Sequence, residues 1–487
     1  MNIWDFGGQE IYHATHQFFL SKRSLYLLVA DTRKQYANFD YWLSVAEMFG
    51  GGSPILIIKN EREDINWNIQ EQSLKGKFNT IEKVLTTNLK TNSKDFPALK
   101  DHLSFYLQQL PHIGTPFPKT WLTIRELLEK DSRNYMSEEE FLTLCEQHGF
   151  KTEGDKLQLS ETLHDLGSIL HFQSNLLLKE TIFLKPHWAT QAVYHVLDNQ
   201  KIIDNYGQFT TSDLQGIWST SEYRYMQAKL RELMLSFKLC YKLRYCDDTY
   251  IAPQLLNEDQ VDYQWKYDKT VNALYKYKFM PKGLITQLIV ALHNLISDQQ
   301  RCVWRSGVVL EYHQTYAEII EDYDQREIKI AVAGENCRDL MTVIMCELDI
   351  IHAAYEKLTY DILIPCQHCR KLEFTYNDLK RYAKKFRPIE CRKCEQDNDA
   401  QLLINGIHNP QLSAQKYQKE FPTSENIHIN HINNNFNGSV TTAMTGNHAT
   451  HGDTATGNNA QLNHTETHTQ NIPTKKSLGK RLLELFK

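Results

Sequence analysis

A chain of 487 residues has room for about three domains of roughly 150 residues each. Hydrophobic residues make up 41% and aromatics 11%, enough for ordinary globular cores, which excludes wholesale disorder. Lys and Arg number 54 against 59 Asp and Glu, so the net charge of −5 offers no global field for a polyanion, and no nucleic acid partner is expected.

The first residues show no basic region followed by an apolar core and a small-residue cleavage site, so no signal peptide is expected. The most apolar helical stretch, LITQLIVALHNLI (284–296), is interrupted by Thr286, Gln287, His293 and Asn294 and is far short of a bilayer span. The chain is expected to be soluble and cytoplasmic.

In chain order, the first hundred residues alternate in an α/β manner. NIWDFG and SLYLLVAD (24–31) read as buried strands, FDYWLSVAEMFG as a helix, SPILIIKN (53–60) as a strand and EKVLTT as a weaker one. FPALKDHLSFYLQQL (96–110) carries a helical stripe of Leu99, Leu103, Tyr106, Leu107 and Leu110 that ends before Pro111. Beyond it the texture turns helical, with PKTWLTIRELLEK, SEEEFLTLCEQHG and LSETLHDLGSIL; Ser137 and Glu140 have the spacing of a capping box. From about 263 to 362, strand-like RCVWRSGVVLEY and REIKIAVAG alternate with helical CRDLMTVIMCELDIIHAAYEKL, an α+β texture. No internal repeat of 20–50 residues is found, so no leucine-rich or ankyrin array is expected.

Four of the ten cysteines form two CxxC pairs, Cys366/Cys369 and Cys391/Cys394, separated by 21 residues. Each pair can aim two thiolates to one side of a tight turn, and two such knuckles complete a tetrahedral site, so structural Zn2+ is expected on these four residues. Four free or buried thiols are the bland alternative. A redox CxxC would want a thioredoxin-like strand and helix before it, and a catalytic zinc would want His or carboxylate ligands with an open position. His368 lies inside the first knuckle and is read as a bystander. The basic residues around the knuckles are read as a solvated face rather than a nucleic-acid contact.

After about 409 the composition turns to Asn, Thr, His, Gly and Gln, which cannot bury enough apolar area to offset chain entropy, and disorder is expected. The closing KKSLGKRLLELFK places Leu478, Leu482, Leu485 and Phe486 on one helical face with Lys475, Lys476, Lys480 and Arg481 around it. That is a basic amphipathic helix, a weak candidate for membrane or protein contact.

WDFGGQE, positions 4–10, carries the most specific signal. A strand ending in DxxGQE serves guanine-nucleotide switches: Asp5 would reach magnesium through water, Gly8 would offer its N–H to the γ-phosphate, Gln9 would orient the attacking water, and Gly7 with Gly8 would let the backbone approach the phosphate. The stretch NIWDFGGQEIYHATHQFFLSKRSLYLLVADTR resembles the Roc GTPase domain of the Roco (Roc-COR) family, bacterial type. LPHIGTPFPKTWLTIRELL, LHDLGSILHF and IFLKPHWATQAVYHVLD are similar to the COR domain that follows Roc, and together the likeness covers roughly 1–362.

The resemblance implies GTP/GDP with Mg2+ as ligands, COR-mediated homodimerisation, GTP turnover coupled to dimer rearrangement, and protein effectors that the sequence does not name. Trp188 takes a COR core position. Where the family pattern reads NKxD, this chain reads NERE, with Asn60 for the guanine, Glu63 in the Asp place and Glu61 where a Lys would pack on the nucleotide. LTTNLKTN, around Thr87 to Leu89, is a weak match to the last guanine loop.

The 487 residues contain no GxxxxGK[ST] phosphate loop. In the Ras-like sheet order that the family implies, the absent first strand also lies between the strand ending at Asp5 and the one at 24–31. Two readings follow: a gene product that continues upstream of Met1, the expected one, or a non-catalytic COR scaffold with a vestigial Roc domain. No kinase motifs occur in kinase order.

The expected architecture is a multidomain α/β plus α+β chain. It comprises a partial Ras-like Roc domain (1–112), a helical COR half (113–262), an α+β COR half (263–362), a four-cysteine zinc-ribbon-like module (363–408), a disordered tail (409–474) and a terminal helix (475–487).

Overall fold

The computed structural model describes residues 24–31, 39–50, 52–61, 70–88, 96–110, 113, 114, 116, 118–265, 270–355 and 358–405. The strand expected around Asp5, the low-complexity tail and the terminal helix lie outside them. The chain is mixed α/β and divides into two compact units, the first running to Gln191 and the second from Ala192. Among the described residues no helix is long and apolar enough to cross a membrane.

The first unit opens with β1 (Tyr26–Asp31), α1 (Phe39–Gly50), β2 (Ile55–Asn60), α2 (Glu71–Lys77), β3 (Ile81–Thr87) and α3 (Phe96–Gln108). The three strands are parallel in the order β1-β2-β3, as strands joined by helical crossovers must be. Alternation along β2 sends its side chains to two cores. Leu56 and Ile58 meet Leu85, Leu99 and Leu103 beneath α3, while Ile55 and Ile57 meet Leu43, Phe78 and Ile81 on the side of α1. Every residue of β2 is buried, which explains its continuous apolar run. Among the described residues β1 has β2 as its one neighbour, and Leu27, Leu28 and Val29 are only half-buried.

The unit continues with α4 (Lys119–Lys130), β4 (Tyr135–Ser137), α5 (Glu138–Gln147), α6 (Glu153–Asp165), β5 (Leu170–His171), β6 (Thr181–Phe183) and α7 (Pro186–Leu197), the helix within which the two units divide. The short antiparallel sheet has the order β4-β6-β5. Ser137 caps α5 as expected: its hydroxyl accepts from the Glu140 N–H at 3.1 Å and the Glu140 carboxylate accepts from the Ser137 N–H at 2.9 Å. Ile124, Met136, Phe141, Cys145, Leu159 and Ile182 fill the core, and Trp188 packs near Phe183 and Tyr135.

The second unit begins by repeating this topology. After α8 (Gln200–Asp204) come β7 (Gln208–Thr210), α9 (Thr211–Ile217), α10 (Gln227–Ser236), β8 (Tyr241–Lys242) and β9 (Thr249–Ile251), in the sheet order β7-β9-β8. Thr210 and Asp213 form a second capping box at the start of α9. Ser137, Glu140, Phe141 and Cys145 correspond to Thr210, Asp213, Leu214 and Trp218 at one constant offset, and the last two of each set are buried. The duplication is longer than a 20–50 residue repeat and shares positions rather than residues.

A seven-stranded antiparallel sheet follows, of order β11-β12-β13-β14-β10-β15-β16. Its strands are β10 (Val271–Tyr277), β11 (Val303–Trp304), β12 (Gly307–Tyr312), β13 (Thr315–Asp322), β14 (Glu327–Ala333), β15 (Tyr360–Pro365) and β16 (Glu373–Thr375), with α11 (Leu284–Leu292) and α12 (Cys337–Ala353) packed on it. The expected boundary at 363 therefore falls inside β15. The described residues finish with α13 (Tyr376–Ala383), β17 (Ile389–Glu390), β18 (Asp397–Asn398) and α14 (Ala400–Asn405).

Two outcomes are expected. Ser137→Ala should lower stability by about 1 kcal/mol through loss of the cap, read as a lower urea midpoint. Burial holds His164 and His352 down to about 4 from the ordinary 6.5, and lowers His171 as well. The unfolded chain then takes these protons first, so stability is full above about pH 6.5 and falls as pH drops toward about 4. His352→Asn should flatten that slope; an unchanged slope would remove His352 from the explanation.

Candidate functional site

The three parallel strands end side by side. Asp31, Asn60 and Thr87 are in register at the carboxyl edge, and the Glu61 N–H donates to the Thr87 carbonyl at 2.9 Å just beyond it. Open parallel sheets gather ligands beyond this edge. Asn60 is fully buried, so its side chain is held at a defined place. Lys59 is also buried, and its ammonium meets the Glu61 carboxylate at 2.8 Å. Glu61, standing where the family pattern has Lys, is thus held by a cation of the edge itself. Asp5, Gly7, Gly8, Gln9 and Glu63 lie outside the described residues; of the residues expected at a nucleotide site, Asn60 is placed, with Glu61 and Thr87 beside it.

The four cysteines come together at the end of the seven-stranded sheet. β15 delivers Cys366, the turn after it supplies Cys369, and the turn between β17 and β18 supplies Cys391 and Cys394. The intervening residues form the strand β16 and the helix α13, as the spacing suggests. All four sulfurs lie within 4.8 Å of one another, with Cys366–Cys394 at 3.7 Å and Cys369–Cys391 at 3.6 Å. Those separations are far beyond a disulfide bond. They suit the edges of a tetrahedron around one ion at about 2.3 Å from each sulfur.

Electrostatics favour the same use. Burial opposes ionisation of Cys366, yet the N–H groups of Cys369 and His368 outweigh it and bring the thiol down to about 6. The Lys371 N–H lowers Cys369, donating to its sulfur at 3.5 Å. Desolvation, together with the neighbouring sulfurs, pushes Cys394 up to about 12. Adjacent thiols that split in this way oppose one another's charge, and a divalent cation at their centre would offset that repulsion.

The two knuckles are built alike. The Cys366 N–H donates to Leu372 and the Cys391 N–H to Gln396, while the N–H groups of Arg370 and Glu395 return to the carbonyls of Cys366 and Cys391. Arg370 and Glu395, each following the second cysteine of its pair, have φ of 53° and 54°. Buried Asn398 joins the halves: its Oδ1 accepts from the Gln367 N–H at 2.9 Å and its Nδ2 donates to the Gln396 carbonyl at 3.1 Å. No spacing rule singles out Asn398, because its role depends on two turns far apart in sequence. His368 projects away and bonds the Asp397 carbonyl through Nε2 at 3.1 Å.

A serine–histidine pair elsewhere is not a nucleophile site. Ser160 Oγ lies 2.5 Å from His171 Nδ1, and His171 Nε2 lies 2.7 Å from the Lys179 carbonyl oxygen, but both side chains are buried. They tie α6 to the hairpin of β5 and β6.

Glu395→Gly should relieve the left-handed backbone and raise stability by about 1 kcal/mol, measured by urea denaturation. A loss of stability would mean that the Glu395 side chain itself holds the turn.

Comparison with known proteins agrees with this arrangement. The family model "Ras of Complex, Roc, domain of DAPkinase" matches residues 1–63, "C-terminal of Roc, COR-A domain" matches 118–256, and "C-terminal of Roc, COR-B domain" matches 268–406. A Roc-COR-CHAT protease of Runella zeae is 30% identical over 350 residues, covering 68% of this chain and 37% of that protein. The probable serine/threonine-protein kinase pats1 of Dictyostelium discoideum is 24% identical over 400 residues, covering 76% of this chain and 12% of that protein. The chain thus spans well under half the length of these relatives. A solved structure of Methanosarcina barkeri Roco2 RocCORdC, bound to GDP, aligns at 32% identity with a TM-score of 0.45 over 52% of this chain and 79% of that one. With Roc, COR-A and COR-B matched in that order along one polypeptide, the chain belongs to the Roco (Roc-COR) family.

Proposed function

We propose that the chain is the switch-and-coupling part of a Roco GTP-binding regulatory protein, in which GTP hydrolysis is coupled to COR-mediated homodimerisation. The observation that carries this reading is the carboxyl edge of the parallel sheet, where buried Asn60 and Thr87 stand side by side. Asn60 would contact the guanine, with Glu63 in the place of the usual Asp. Asp5, Gly7 and Gly8 would face magnesium and the γ-phosphate, and Gln9 would orient water. Catalysis of this kind works by positioning and charge stabilisation, which needs a phosphate loop that these 487 residues do not contain.

The test is binding of mant-GTP and mant-GDP, with magnesium, to the 487-residue chain and to a chain extended into any in-frame upstream sequence. The extended chain is expected to bind and hydrolyse, and the shorter one to bind poorly or not at all. If neither binds while both dimerise in light scattering, the switch reading fails. A non-catalytic COR scaffold with a vestigial Roc domain is then the function; the Lys59–Glu61 pair, which ties up a residue of the nucleotide edge, favours that alternative.

The four cysteines would hold a structural Zn2+. An all-thiolate set leaves no open position for substrate, so the ion would fasten the two knuckles rather than act in catalysis. Metal analysis should find about one zinc per chain, lost in Cys366→Ser or Cys391→Ser. A folded metal-free chain with its knuckles intact would contradict the assignment.

A further inference from the structure

We propose that the turn Lys384-Lys385-Phe386-Arg387, at the end of α13 in the four-cysteine segment, is a docking point for an anionic phospholipid surface. Phe386 is 89% exposed, the most exposed of the large hydrophobic side chains described. It also stands where the backbone disfavours it. The Phe386 N–H donates to Ala383 and the Arg387 N–H to Tyr382, the paired bonds of a Schellman ending, and Phe386 occupies the left-handed position of that motif with φ 51°. Glycine is the default there, so the turn carries both an exposed apolar ring and a strained backbone.

The charges complete the surface. Between Cys366 and Cys394 there are nine Lys or Arg and three Asp or Glu. Arg381 is engaged by Asp378 at 2.8 Å, whereas exposed Lys384, Lys385 and Arg387 are in no ion pair among the described residues. Basic residues at a helix C-terminus complement the helix dipole, which explains the cations of this turn but not the phenylalanine. A ring projecting between cations matches a membrane interface, where the ring enters the acyl boundary and the cations meet headgroup phosphates. Single-stranded nucleic acid would want a row of free aromatic faces. Here Tyr376 is already faced by Lys380 at 4.6 Å and Tyr382 by Arg381 at 5.9 Å, leaving Phe386 alone.

The test is co-sedimentation of the full chain with phosphatidylcholine vesicles, with and without phosphatidylserine, beside its binding to an oligothymidylate. Binding is expected only to the phosphatidylserine vesicles, weakening with salt. Phe386→Asn suits a left-handed backbone and should leave the circular dichroism unchanged while reducing vesicle partition by about tenfold. Replacing Lys384, Lys385 and Arg387 together by Ala should reduce it by about a hundredfold. Undiminished vesicle binding in Phe386→Asn would overturn the proposal by placing the contact elsewhere in the chain. So would Phe386-dependent binding of the oligonucleotide without vesicle binding.

Discussion

The second unit depends on the double pairing of one strand. β10 is hydrogen-bonded along one side to β14, through Val271–Lys276, and along the other to β15, through Leu274–Tyr277. Remove it and the seven-stranded sheet falls into a β11–β14 meander and a β15–β16 pair. Both partners come later in the chain, β14 as the last strand of the meander and β15 only after α12 as well, so the loop-closure cost is borne by burial at the joint. Tyr275 and Tyr277 are buried there against His352, with Tyr277 Oη 2.8 Å from His352 Nε2. The four-cysteine segment inherits this order, because Cys366 follows β15 directly and β16 pairs back onto Leu363–Pro365.

This connection changes what the cysteines are for. Read from spacing alone they suggest a small module that stands by itself. In the fold they sit on the edge of the COR-B sheet, within the span matched by the COR-B family model. On the proposed zinc reading, the ion closes the free end of a sheet whose opposite end, β11–β14, closes by hairpins, and it fixes α13 beside β15 and β16.

Legibility in the sequence follows how local each signal is. The apolar run Ile55–Ile58 of β2, the stripe of α3, the capping box at Ser137 and the two CxxC pairs each lie within a few turns of chain, and the structure has them where the patterns place them. Non-local facts were not legible. Strand order around β10 needs the tertiary pairing, Asn398 acquires its role by bridging two turns, and the duplicated helix–strand–helix–helix–hairpin units share buried positions but few residues. The turn between β12 and β13 shows the same limit: His313 and Gln314 both take positive φ, without the Asn-Gly that usually announces such a hairpin. At the carboxyl edge of the parallel sheet, the place of Asn60 at the end of β2 was legible because the apolar run SPILIIKN stops there. The grip of Lys59 on Glu61 was not, since it is a matter of side-chain direction at a strand end.

The most direct test of the central claim, that the four-sulfur centre and the COR-B sheet form one cooperative structure, is hydrogen–deuterium exchange of the chain before and after zinc chelation. The account predicts that amides of β15 and β16 lose protection together with those of Leu274–Tyr277 on β10, while β2 and β3 are unaffected. Loss confined to the two cysteine turns, with β15 and β10 as protected as before, would contradict it and make the centre a local clasp.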